Sequence, residues 1–208
     1  MWLLVADRIW DKIVLLNSIE NVDLIGEKFS DIARMRGIDP YDLVFDILLE
    51  EGAAMHQLLW TSNSFSQSDL DLCLEQDECA VISDTLALAP YGPLEKKVGS
   101  LSGYGWTPEF LSKYVNEKKI VSIEEGIRRM TSLPAERLGV KDRGMLKENM
   151  KADIVVFDTG SIRSTWTFKE PRSYPKGIEH VFVNGLQTIC AGKRTSVNNG
   201  EVLRAPFS

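Results

Sequence analysis

The sequence predicts an α/β fold in which residues 1–139 alternate strand and helix and residues 140–208 are mostly β. Three observations carry that expectation. Apolar runs of strand length alternate with helix-period segments as far as Gly139, the pattern of βα units. Beyond residue 140 the period changes, and Asn184–Gly185 stands between two alternating runs, where it is the preferred two-residue hairpin turn. Between these regions Asp84 closes the apolar run Cys79–Ala–Val–Ile–Ser83 and opens a loop rich in Pro and Gly. A short strand ending in a carboxylate, followed by a long loop, is how a βα-barrel enzyme presents a catalytic group. Asp at a strand end also caps the next turn, so the local pattern leaves both roles open.

Taken in order, Lys12–Leu16 reads as a strand, with Asn17–Ser18 where the following loop begins. Glu27–Arg36 reads as a helix that Gly37 ends. Asp39 is placed to cap the next helix, Pro40 takes its first turn, and Leu43, Val44, Ile47 and Leu48 form one apolar stripe before Gly52. Met55–Trp60 is a second run of strand length. Ser66–Asp69 opens a helix bearing Leu70, Cys73 and Leu74, and Cys79–Ser83 is the next strand. After the loop at 85–106, Thr107–Pro108 starts a helix through about Lys118. Ser122 and Glu125 form a capping box for a helix carrying Ile127 and Met130, and a turn of helix at Pro134–Leu138 ends with Gly139. Asp153–Phe157, Glu179–Val183 and Leu186–Cys190 are strands. Lys141–Met150 is the linker that divides a domain at 1–139 from one at 140–208.

Composition removes several classes of function. A chain of 208 residues with 44% apolar and 26% charged residues builds an ordinary buried core. No apolar run approaches a membrane span, and the short opening Met1–Ala6 meets Asp7 without a basic front, so no signal peptide is read there. The net charge of −6, with no Lys/Arg stripe, argues against nucleic acid as a partner. Three cysteines without C-x-x-C spacing indicate neither disulfides nor a zinc knuckle, which fits a reducing, cytoplasmic location. Only His56 and His180 are present, too few for a histidine-built metal site. His56 lies in an apolar run and reads as structural, and His180 reads as a half-buried strand residue. Gly103–Tyr–Gly105 lacks a phosphate-loop context. The five tryptophans share no common spacing and read as packing. The acidic cluster Asp69, Asp71, Glu75, Asp77 and Glu78 reads as a solvated helix face.

Several motifs together resemble the C-terminal part of N-acyl-D-amino-acid deacylases, the D-aminoacylases of the metal-dependent amidohydrolase superfamily. They are Thr131–Gly139, Lys141–Asp–Arg–Gly144, Lys151–Ala–Asp–Ile–Val–Val–Phe–Asp158, Tyr174–Pro–Lys–Gly–Ile–Glu–His–Val–Phe–Val–Asn–Gly185 and Gly200–Arg204. Upstream, Ile82–Ser–Asp84 and Ala87–Leu94 match the segment around that family's active-site aspartate, and Asp39–Gly52 matches the helix before it. The Lys-Ala-Asp strand and Val-Asn-Gly hairpin are generic for the superfamily, whereas Tyr-Pro-Lys-Gly-Ile-Glu-His points to the deacylases.

The resemblance implies the C-terminal part of a (β/α)8 TIM barrel over 1–139 and a small β-sandwich segment over 140–208. It implies an amidohydrolase that cleaves a linear, non-peptide C–N amide bond of a small N-acyl amino acid. Zinc in the complete enzyme activates water, and Asp84 contacts the metal and shuttles the proton to the departing amine. Tyr104 lines the substrate site or anchors its loop, and Ser18 lies near a substrate-contacting serine. Two departures qualify this. The family's His-x-His pair and later histidine ligands have no counterpart, so this chain alone is expected to hold no zinc and to be inactive. Where the family carries His-Pro-Arg before a Tyr-Gly pair, this chain has Ser100–Leu–Ser–Gly–Tyr104–Gly105, without an Arg to grip a substrate carboxylate. A complementing N-terminal chain, or self-association, is the expected partner, because an incomplete barrel leaves sheet edges and apolar stripes uncovered. The alternatives are a non-catalytic binding or assembly module derived from the fold, and an amidohydrolase of another amide.

Overall fold

Strand β1 (Ile13–Asn17) is an apolar run in which Ile13, Val14 and Leu15 are all buried. The computed structural model describes residues 5, 7–62, 64–82, 84–95 and 102–204. These fall into two compact units, Met1–Leu70 with Thr167–Glu170, and Asp71–Trp166 with Pro171–Ser208. Trp2, Ser83 and Ser100, which the sequence reading singled out, lie outside the described residues.

In the first unit, β1 leads to helix α1 (Phe29–Arg36) and helix α2 (Pro40–Glu51). Gly37 ends α1 in the left-handed region at φ 66°, where a residue without Cβ carries no penalty. Asp39 caps α2 by accepting the Tyr41 N–H at 2.9 Å, and Pro40 takes the first turn. Phe29 and Ile32 from α1 and Leu43 and Ile47 from α2 close over Ile13, Leu15 and Trp10, so one apolar face of each helix makes the core. Two edge-to-face ring pairs, Trp10 with Tyr41 and Phe29 with Trp60, complete it.

The run at 55–60 is not one strand. Gly52–Gln57 winds as a 3-10 helix, and strand β2 is Leu59–Ser62. Strand β2 pairs antiparallel with β1, whereas neighbouring barrel strands are parallel. Parity supplies the reason. One crossover helix returns the chain for a parallel strand, but two helices lie between β1 and β2 here, and the chain comes back in the opposite sense.

Helix α3 (Gln67–Leu74) carries the chain into the second unit. Over the described residues 79–82 the expected strand at Cys79–Ser83 is not seen: they make no ladder, and Val81 donates its N–H to the carbonyl of Arg129, at a helix end, at 3.0 Å. Helix α4 (Ser102–Glu109) starts five residues earlier than its Thr-Pro signal, and Pro108 sits inside it. Pro108 has no N–H to return to Tyr104, and the turns that follow, Phe110–Glu117, widen to π geometry. Helix α5 (Ile123–Met130) is capped by Ser122, whose hydroxyl accepts the Glu125 N–H at 3.3 Å. The capping box is one-sided, because the Glu125 carboxylate is held by arginines instead. Gly126 lets α5 approach Val115 of the widened segment. Helix α6 (Ser132–Leu138) ends at Gly139, φ 75°.

In the β region three strands fall where the sequence placed them and a short fourth is added. Strands β3 (Ile154–Phe157), β4 (Ile178–Val183), β5 (Leu186–Cys190) and β6 (Lys193–Arg194) form an antiparallel sheet in that order. Asn184 and Gly185 both take positive φ, 47° and 81°, as the two-residue turn requires. Phe157 and Ile178 pack with Ile162 against Phe110, Leu111 and Val115, the core of this unit.

Candidate functional site

The described residues before Asp84, 79–82, make no strand, and the Asp84 side chain is exposed. Its φ of 40° is one that Asp tolerates better than most residues. Two sets of contacts hold the chain on either side of it. Upstream, Arg128 and Arg129 of α5 and Arg137 of α6 bond residues 74–78. Arg129 is 1% exposed; it bonds the Glu125 carboxylate at 2.7 Å and the Leu74 carbonyl. Arg128 donates to the Asp77 carbonyl at 3.1 Å, and Arg137 to the Glu78 carbonyl and carboxylate at 2.6 and 3.0 Å. The acidic cluster is therefore only partly a solvated face: Asp71 pairs with Lys118 at 2.5 Å, and Asp69 takes the Ser66 N–H at the start of α3. Hydrogen bonds from Arg128 and then Arg129 hold the Glu125 carboxyl down at about 2.

Downstream, residues 85–95 run against the start of α4. A Cβ on Gly103 would stand 2.5 Å from the Leu86 carbonyl oxygen, so glycine is required for that approach. Gly105 plays the same part against the Trp166 indole, which accounts for the Gly-Tyr-Gly sequence as packing. Between them Tyr104 donates its hydroxyl to the Leu88 carbonyl at 2.7 Å and sets its ring edge-on to Tyr174, centroids 5.2 Å apart. Burial pushes the Tyr104 phenol above its ordinary range and Tyr174 adds to it, against the opposing charge of Arg172. The fold thus brings Tyr104 to the loop that Asp84 opens, on a helix where the sequence suggested a loop.

Ser18 belongs to the first unit, immediately after β1, and is 3% exposed. Its hydroxyl donates to the buried Glu51 carboxylate and accepts the Asn21 N–H at 2.8 Å. Glu51 also accepts the N–H groups of Ile19 and Glu20, each at 3.1 Å. Burial alone would raise the Glu51 carboxyl, but the Ser18, Ile19 and Glu20 hydrogen bonds outweigh it and leave the group below its usual value. Beside it Arg36 bonds Glu50 at 2.8 Å and Asn21 at 2.5 Å. In this arrangement the Ser18 hydroxyl fixes the loop after β1.

Glu51, Arg129 and Arg172 were not singled out in the sequence. A signal existed for Glu51, which continues the Leu43–Ile47 stripe at i+4, and for Arg129, which lies four residues after Glu125. Arg172 has none.

His56 is exposed, its Nδ1 3.1 Å from the Ala53 carbonyl. His180 stands in β4, where Nδ1 accepts the Ala191 N–H at 3.3 Å and lies 2.9 Å from the Gln187 amide. Among the described residues no three His, Cys, Asp or Glu side chains group so as to hold an ion, and none of their helices is long and apolar enough to cross a membrane.

Residues 24–189 match the model of the amidohydrolase family. The chain belongs to that family. It is 30% identical over 179 residues to an N-acyl-D-aspartate deacylase of Alcaligenes xylosoxydans xylosoxydans, covering 86% of this chain and 33% of that protein. The structure of a D-aminoacylase with a binuclear metal centre superposes with a TM-score of 0.72 at 23% identity, covering 92% of this chain and 38% of that one. An N-acyl-D-glutamate deacylase of Bordetella bronchiseptica, solved with zinc and a phosphonate inhibitor, gives 0.65 at 25% identity, covering 87% and 35%. The α/β fold is thus that of a D-aminoacylase segment, and the chain spans about a third of the length of the relatives it matches.

Proposed function

We propose that this chain supplies the Asp84-bearing part of an N-acyl-D-amino-acid deacylase-like amidohydrolase, with residues 1–139 contributing the last part of a barrel and 140–208 part of a β-sandwich. The carrying observation is the family match across the segment in which Asp84 opens a loop braced against α4. The reaction is hydrolysis of the amide bond of a small N-acyl amino acid. In it Asp84 takes a proton from the attacking water and delivers it to the departing amine. Tyr104 borders the substrate. Ser18, whose proton is committed to Glu51, shapes the loop after β1. Asp84 contacts the metal and the other ligands come from residues outside this chain, so the 208 residues alone are expected to hold no stoichiometric zinc and to hydrolyse nothing.

Complementation tests this. The chain is mixed or co-expressed with the N-terminal two-thirds of a related deacylase, and zinc content and release of acetate from N-acetyl-D-glutamate and N-acetyl-D-aspartate are measured. Activity is expected only in the mixture and is expected to fall at least a thousandfold with Asp84→Asn. One tightly held zinc in the chain alone, or an active Asp84→Asn complex, would overturn the reading. A mixture that stays inactive while the chain remains a well-folded monomer would favour a non-catalytic module instead.

A further inference from the structure

The apolar run before Asp84 lacks a sheet to fix it, so the position of the carboxylate depends on what grips the loop beyond it. Among the described residues, three side-chain bonds to backbone carbonyls reach that loop. Tyr104 supplies one, to Leu88. Arg172 supplies the other two, from Nη1 to Ala89 at 3.2 Å and from Nη2 to Glu95 at 2.5 Å. These carbonyls lie six residues apart, and inside the loop the Glu95 N–H bonds the Gly92 carbonyl at 3.0 Å. A planar guanidinium spans two acceptors in a fixed geometry, which an ammonium does not. Arg172 itself is set by its neighbour Tyr174, whose carbonyl accepts the Thr165 hydroxyl at 2.8 Å and whose ring meets Tyr104.

We infer that Arg172 is a positioning residue for Asp84: its fork closes the loop at 85–95 and thereby holds Asp84 in its positive-φ conformation, in place of the strand ladder that residues 79–82 do not make. The inference rests on the reading of Asp84 as the proton carrier for its functional meaning, but its test does not. Atoms that form no ladder exchange their amide hydrogens through small local openings, so a side-chain clamp is visible as protection confined to the loop.

The experiment compares the full chain with Arg172→Met, which keeps the stem and removes both donors, and Arg172→Lys, which keeps a single point donor. Hydrogen exchange is followed at the amides of 86–95 and of β4 and β5. The intraresidue HN–Hα nuclear Overhauser effect of Asp84, strong only at positive φ, reports its backbone. In Arg172→Met the Glu95 amide is expected to exchange at least tenfold faster and the Asp84 signal to weaken. In Arg172→Lys about threefold faster exchange is expected, while β4 and β5 stay within twofold of wild type in both. Loop exchange within twofold of wild type with an unchanged Asp84 signal would overturn the inference. So would equal acceleration in β4 and β5, which would mark Arg172 as a general support of the unit. If complementation fails, the deacylase reading falls while these readouts stand; if these readouts fail, the brace falls whatever complementation gives.

Discussion

Replacing Glu51 probes the polar anchor at the end of β1. In Glu51→Ala, the Ser18 hydroxyl loses its acceptor inside a site where both residues are 3% exposed, and two backbone N–H groups lose a charged acceptor. Hydrogen bonds to charged groups contribute about 1.5–3 kcal/mol each, and an orphaned buried donor costs about 1–3 kcal/mol. Ile19 and Glu20 are exposed, so water replaces most of what their N–H groups lose. The sum is then about 2–4 kcal/mol for Glu51→Ala. Glu51→Gln keeps an acceptor oxygen and the shape but not the charge, and about 1–2 kcal/mol is expected; Ser18→Ala should cost a similar amount. Because the two residues share one bond, the double variant should fall short of additivity by about 1 kcal/mol.

Urea denaturation at 25 °C, read by tryptophan fluorescence and far-ultraviolet circular dichroism, gives these differences. A Glu51→Ala loss below about 0.5 kcal/mol, or additive single and double variants, would refute the anchor. The pH dependence has a definite sign. The Glu51 carboxyl is lowered in the folded chain, so the unfolded chain binds more protons as acid is added. Its contribution is whole above the ordinary carboxylate range and is lost as pH falls through the folded value. Wild type should therefore lose stability more steeply than Glu51→Gln below about pH 5.

Other outcomes follow from single contacts. Gly177→Ala places a Cβ 2.5 Å from Ile162 Cα at φ +85°, and thermal melting should show a loss of about 3 kcal/mol or more; a loss under 1 kcal/mol would mean the turn relaxes freely. Glu125 should titrate near 2 by carboxyl carbon NMR, and a midpoint near 4.5 would refute its pairing with Arg128 and Arg129. That contribution is present above the unfolded value and is lost as pH falls toward 2. Among the described residues strand β3 has a neighbour on one side only, and its Val155 and Val156 are 53% and 40% exposed. Such an edge invites pairing with another chain, so light scattering at micromolar concentration should show self-association that Val155→Lys reduces; a monodisperse wild-type monomer would refute it.

What the sequence disclosed was local. Asp39–Pro40, Ser122, Gly37 and Gly139 act within one turn of their own positions, and each takes the cap or stop expected of it. The Asn184–Gly185 hairpin likewise needs nothing beyond its two flanking strands. The polar anchors were not legible, because each joins residues far apart in the chain: Ser18 to Glu51 across 33 positions, Arg129 to Leu74 across 55, Arg172 to Ala89 across 83. Nothing near Arg172 says that its donors are needed by residues 89 and 95.

The run at 79–83 misled for a different reason, and the reason bears on function. Its composition is that of a buried strand, yet Ile82 is 71% exposed and Val81 gives its N–H to a helix end. Local preference and tertiary setting disagree here, and such disagreements collect at functional segments. Contacts on both sides compensate: the Arg129 bond to Leu74 before Asp84, and the close approach at Gly103 with the Tyr104 and Arg172 bonds after it.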